Sequence, residues 1–180
     1  MMLLDLDRPA AGAVTESDAG RGGLRICLAT GIGSGPTELA AFDAALMDAG
    51  VANYNLICLS SVIPPRARIE RVRFATPAHE YGRRLYVVLS QMRESRVGHE
   101  VHAGIGWVQA RAEDGGHGLF VELHDHDRNR LEHDLRATLA SMQRARAIDL
   151  GPVRTLIASA LCRDLPVCAL VIAVYRSVPW

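Results

Sequence analysis

The stretch Asn55-Leu56-Ile57-Cys58-Leu59-Ser60-Ser61-Val62-Ile63-Pro64-Pro65 sets a pair of small polar residues between apolar neighbours and two rigid prolines. Asn53 to Ser60 reads as a buried strand, and the proline pair, which lacks N–H donors, prevents it from continuing far beyond the serines. The serines therefore sit where an ordered strand ends. On composition alone such a segment is an ordinary turn, because Ser and Pro are common turn residues.

Upstream, Leu24 to Thr30 is a short apolar run, and Gly31-Ile32-Gly33-Ser34-Gly35-Pro36 reads as a turn after it, with Pro36 suited to the first turn of a helix. Leu39, Phe42, Leu46 and Ala49 then recur at helical spacing, and Gly50 marks the stop. Downstream, Arg84–Ser90, His99–Ala110, Gly118–His124, Pro152–Ala160 and Val167–Tyr175 are strand candidates. A second helix is expected over Arg128–Ile148, with Leu131, Leu135, Thr138 and Met142 on one stripe and Asp127 as its cap. Runs of strands bounded by two helices argue for an α+β fold with largely antiparallel sheets. A chain of 180 residues supplies one ordinary core, so residues 23–180 are expected as one domain. Residues 1–22, first acidic and then rich in Ala and Gly, read as a flexible N-terminal arm.

Composition narrows the chemistry. Twenty basic and twenty acidic residues leave no net charge, so no global field draws the chain to nucleic acid or to an anionic membrane. No apolar run is long enough to span a bilayer. Cys27, Cys58, Cys162 and Cys168 lie in apolar stretches without CxxC spacing, which suits small buried hydrophobes in a reducing cytoplasm. All twenty basic residues are Arg. With no lysine amine, pyridoxal phosphate and Schiff-base lysine chemistry are excluded, and imine catalysis needs another carbonyl or amine.

Two other constellations carry weak signals. The Gly31–Gly35 stretch has the spacing G-x-G-x-G, with neither a P-loop lysine nor the last glycine of a dinucleotide fingerprint. His124-Asp125-His126-Asp127, with His133 and Asp134, matches no metal-ligand spacing and reads as a polar strand end running into a helix cap; no metal is expected. His79, His99, His102 and His117 read as surface or hydrogen-bonded core residues.

Taken together, Thr37-Glu38-Leu39-Ala40-Ala41-Phe42-Asp43-Ala44-Ala45-Leu46, then Ala49-Gly50, and Asn55-Leu56 through Pro64-Pro65 resemble the pyruvoyl-dependent arginine decarboxylases. Gly118-Leu119-Phe120-Val121-Glu122 is similar to the apolar strand that carries the family's catalytic glutamate. The similarity runs from about Leu24 onward and leaves residues 1–22 outside it. It implies a four-layer αββα sandwich. It also implies self-processing: Ser61 attacks the carbonyl of Ser60, and the chain splits into a β chain (1–60) and an α chain (61–180) whose first residue becomes a covalent pyruvoyl group. This cofactor would form an imine with the α-amine of L-arginine and accept the electrons released with carbon dioxide, giving agmatine.

By the same resemblance, Glu122 protonates the carbanion, in an apolar setting supplied by Leu119, Phe120, Val121 and Leu123. Asn55 orients the scissile carbonyl. Asp43 pairs with the substrate guanidinium through two parallel hydrogen bonds. Leu39, Leu46 and Val62 line the pocket, although each also reads as plain core. Ala52 and Tyr54 stand where other members carry smaller side chains, which implies a narrower pocket or an added hydroxyl. The family's trimers, with sites at subunit interfaces, imply a homotrimer of cleaved αβ units or a multiple of it. The alternatives are a decarboxylase for a related basic amino acid and a non-catalytic structural or regulatory member, which would not cleave.

Overall fold

Each of the two helices lies against a strand that carries two glycines, and this contact sets the layering. A computed structural model describes residues 23–180, so the arm expected over 1–22 lies outside the described residues. The elements are β1 (Arg25–Ser34), α1 (Glu38–Asp48), β2 (Asn55–Cys58), β3 (Val62–Ile63), β4 (Arg68–Arg71), β5 (Arg84–Glu94), β6 (Glu100–Gln109), β7 (Gly118–Asp125), α2 (Arg128–Ala145), β8 (Arg154–Leu161) and β9 (Val167–Val178). One sheet has the order β2-β5-β9-β1-β4, the other β3-β7-β6-β8. Pairing is antiparallel except at the two edges of the larger sheet, β1–β4 and β2–β5.

Three apolar layers hold the stack together. Ala41, Ala45 and Leu46 of α1 pack on Cys168, Leu170, Ile172 and Val174 of β9. The opposite face of β9, with Val171 and Ala173, packs on Ile105, Trp107 and Phe120 of the second sheet. Leu131, Leu135 and Leu139 of α2 close the far side against Val108, Leu119 and Val121. The fold is therefore an α+β sandwich of four layers, αββα, as the resemblance implies. Among the described residues, no helix is long and apolar enough to cross a membrane.

The glycines expected to form a turn are instead the last part of β1, paired with β9 as far as Ser34↔Val167. Local preference disfavours glycine in a strand, but the packing of α1 requires it. A Cβ on Gly31 would stand 2.0 Å from the carbonyl oxygen of Ala45, and one on Gly33 would stand 2.3 Å from the Ala45 nitrogen and 2.4 Å from the Ala41 oxygen. Helix and strand meet backbone to backbone, so this is no phosphate-binding loop. Pro36 precedes the helix rather than entering it; Thr37 is the cap, its Oγ1 accepting from the Ala40 N–H at 3.1 Å. Gly50, at φ 78°, ends α1 in the left-handed conformation.

On the other side, a Cβ on Gly104 would meet the Leu135 Cδ1 at 2.9 Å, the movable end of a side chain. Gly33→Ala is expected to cost about 3 kcal/mol or more in chemical denaturation and Gly104→Ala distinctly less. Equal losses would mean that α1 does not sit on backbone.

Other expectations shift for identifiable reasons. Leu139 rather than Thr138 completes the buried stripe of α2, because the i, i+4 row lies along Gly104 and Gly106. Asp127 caps this helix as expected, accepting from Asn129 and Arg130 N–H. Cys27, Cys162 and Cys168 are buried, but Cys58 is exposed as the last residue of edge strand β2. Tyr54 adds no hydroxyl to a pocket; it is buried, and its hydroxyl donates to Glu80 Oε2 at 2.5 Å.

Candidate active site

The Ser60-Ser61 peptide is the point at which the chain passes from one sheet to the other. Leu59 still belongs to the larger sheet, its N–H donating to the Val87 carbonyl at 2.8 Å. Two residues after Ser60, Val62 and Ile63 pair with Leu119 and Gly118 of β7 in the smaller sheet. Ile63 is fully buried and anchors the far side of the crossing, and Pro64-Pro65 end the strand. The strand end expected from the sequence is therefore a bridge between layers.

At this crossing Ser61 has φ 68°, in the left-handed region that non-glycine residues enter at a cost of about 1–2 kcal/mol. Its surroundings hold it there. The Phe120 N–H donates to the Ser61 carbonyl at 2.8 Å. Ser61 Oγ lies 2.9 Å and 2.8 Å from the two carboxylate oxygens of Glu122 and donates its proton to them. Ser61 itself is nearly buried, whereas Ser60 is exposed.

Glu122 reaches the serine because of its place on β7. Phe120 and Glu122 lie two residues apart and share the face between the sheets, while Leu119, Val121 and Leu123 face α2. The half-buried carboxylate thus stands at the rim of the apolar layer. The next carbonyl, that of Leu123, accepts from Ser90 Oγ at 2.5 Å, and Ser90 Oγ in turn accepts from the Gly104 N–H at 3.1 Å. This buried hydroxyl from β5 ties down the strand end that presents Glu122.

The remaining predicted residues do not converge on Ser61 within one chain. Asn55 lies at the start of β2, its Nδ2 donating to the Gly82 carbonyl at 2.6 Å. Leu39 and Asp43 are exposed on α1, one turn apart, and Leu46 is buried beneath the same helix. Val62, next to Ser61, is 56% exposed. Asp43 borders a cleft of about 600 Å³ together with Asp48, Arg73, Thr76 and Tyr81. Among the described residues, no group of three or more His, Cys, Asp or Glu could hold a metal ion.

Three participants were not legible in the sequence. Phe120 acts through its backbone N–H, which leaves no trace in residue type. Ser90 is a small polar residue where the apolar half of β5 gives way to its polar half. Tyr175 donates its hydroxyl to the Val62 carbonyl at 2.9 Å, and its signal is a polar-tipped ring closing an aliphatic run.

The arrangement offers a nucleophilic hydroxyl, a carboxylate to take its proton and a backbone donor on the adjacent carbonyl, all at one strained peptide. The family model for pyruvoyl-dependent arginine decarboxylase matches residues 25–176. Relatives bearing that name include one from Halobacterium salinarum, 45% identical over 101 residues, or 56% of this chain and 61% of the relative. Another, from Methanothermobacter thermautotrophicus, is 35% identical over 121 residues, covering 67% of this chain and 74% of the relative. A third, from Methanopyrus kandleri, is 54% identical over 43 residues, 24% of this chain and 29% of the relative. The match thus spans about three fifths of the Halobacterium relative. With the model covering most of the chain and the serine-glutamate pair in place, the chain belongs to the pyruvoyl-dependent arginine decarboxylase family.

Proposed function

We propose that the chain cuts its own Ser60-Ser61 peptide and, with the pyruvoyl group so made at position 61, decarboxylates L-arginine to agmatine. The observation that carries this reading is Ser61 itself, nearly buried, left-handed in backbone and hydrogen-bonded through Oγ to both oxygens of Glu122. Glu122 takes the Oγ proton as Oγ adds to the Ser60 carbonyl carbon. Glu122 passes that proton to the nitrogen as the C–N bond breaks, leaving an ester between Ser60 and the Ser61 side chain and a free amine at residue 61. Glu122, again a carboxylate, takes the α-proton of residue 61 as the Ser60 carboxylate is expelled, leaving dehydroalanine. Hydrolysis of its imine tautomer consumes one water, releases ammonia and leaves the ketone.

The residues around position 61 fit such a group. Once formed, it supplies an electrophile for the substrate's α-amine and a sink for the electrons freed with carbon dioxide. The Phe120 N–H holds the amide oxygen of residue 61, where negative charge would gather, as an oxyanion donor does. Glu122, released from Oγ, holds a proton beside the same residue. Asp43 offers two oxygens to a guanidinium, and its exposure with Leu39, and that of Val62 beside Ser61, suit a pocket completed across subunits in a homotrimer of cleaved units. The absence of lysine is consistent with a carbonyl supplied by the chain itself.

Intact-mass spectrometry of the purified protein tests the reading. Two species are expected, residues 1–60 and a 61–180 fragment carrying a ketone in place of its amine, together with carbon dioxide release from labelled arginine. A single uncut species after prolonged incubation would overturn the proposal, and cleavage without arginine turnover would overturn the substrate alone.

A further inference from the structure

Tyr175 occupies an irregular place in β9. The strand pairs with β5 as Val174↔Val87 and then as Arg176↔Tyr86, so Tyr175 is an extra residue with no partner. Such a bulge locally bends and twists the strand, while Tyr175 keeps the inward-facing alternation of Val171 and Ala173. Here the ring enters the layer between the sheets, is 5% exposed, and stands edge-on to Phe120 with centroids 6.3 Å apart. Its hydroxyl crosses to the smaller sheet and donates to the Val62 carbonyl at 2.9 Å. Among the described residues, no other side chain bonds to the backbone of residues 59–65. Burial and the nearby negative charge of Glu122 both push the phenol pKa up, so the group stays a protonated donor beside the carboxylate.

The two carbonyls that follow the Ser60-Ser61 bond are therefore each held, Ser61 by the Phe120 N–H and Val62 by the Tyr175 hydroxyl. Without the second bond, the peptide after Ser61 gains freedom to turn. Residue 61 then has an easier route from the left-handed region into the more populated extended one. We propose that Tyr175 is a positioning residue for self-processing, holding this peptide so that Ser61 keeps its conformation and its Oγ stays on Glu122. The inference rests on the reading that the Ser60-Ser61 bond is cut. After cleavage, Val62 and Tyr175 belong to the same fragment, and their hydrogen bond keeps the new chain end seated.

A positioning role lowers the fraction of precursor in the reactive geometry and leaves the proton chemistry unchanged. Tyr175→Phe, which keeps the ring and removes the hydroxyl, is expected to slow appearance of the cleaved fragments about tenfold, the worth of one buried hydrogen bond, with the wild-type pH profile retained. Hydrogen exchange, compared between Ser61→Ala and Ser61→Ala/Tyr175→Phe, is expected to rise at residues 61–63 alone. Cleavage at the wild-type rate would overturn the proposal. So would a slower rate with a shifted pH profile, which would make the phenol an acid or base, or exchange raised across both sheets, which would make Tyr175 a core support only. If the wild-type protein does not cleave, the functional reading fails, while the exchange comparison still decides whether Tyr175 holds residue 62.

Discussion

Ser61→Ala is expected to leave one polypeptide of 19.5 kDa on a denaturing gel, and the wild-type protein is expected to give two fragments. Without Oγ there is nothing to add to the Ser60 carbonyl, and water does not replace a nucleophile held on its base at 2.8–2.9 Å. The variant still folds, because Ser61 contributes its carbonyl to the Phe120 N–H whatever its side chain. Ser61→Gly gives a control that separates chemistry from strain. It also stays uncut, but glycine tolerates φ 68°, so it is expected to be more stable than the alanine variant by about 1 kcal/mol in thermal or chemical unfolding. Scission at the same bond in Ser61→Ala would end the case for Ser61 as nucleophile.

Glu122→Gln is expected to have the second largest effect, and the structure widens its scope. The resemblance assigns Glu122 a proton-donating role in turnover, and its contact with Ser61 Oγ supports a proposed second role in processing. Glutamine keeps the size and can still hydrogen-bond, but cannot accept the proton. Self-cleavage should slow about a hundredfold, the usual worth of a placed base, and the fraction that does cleave should release carbon dioxide from arginine more slowly still. A time course by denaturing gel, followed by assay of the isolated cleaved protein, separates the two effects. Wild-type cleavage with impaired turnover would remove Glu122 from processing alone.

The parts of this architecture legible in the sequence are those whose causes are local. Asp127 announces its helix because a capping oxygen acts within three residues. The stop after Ile63 is legible because prolines block a strand wherever they stand. What was hidden depends on distant partners. β4, in the run Arg68-Ile69-Glu70-Arg71, is charged like a loop and exists because it lies parallel to β1 at the sheet edge. Gly31 and Gly33 look like punctuation until α1 is laid across them. The strain at Ser61 arises from pairing on both sides of a crossing, Leu59 with β5 and Val62 with β7, and neither neighbour alone encodes it. The role of Tyr175 depends on the Val62 carbonyl that it meets across the sheets, a partner far away in the chain that no local pattern records.

The crossing between sheets also sets an order of events. Residues 1–60 carry β1, α1 and β2, and β1 lies between β9 and β4, so the shorter piece is interleaved with the longer one. If the Ser60-Ser61 bond is cut as proposed, folding before the cut is a first-order process of one chain. After it, recovery from denaturation requires two molecules to find each other and so depends on concentration, and the bond that once guaranteed their meeting cannot be remade. Under the proposed self-cleavage, position 61 would act as a clock that runs once, its scission recording permanently that the interleaved pieces had folded as one chain.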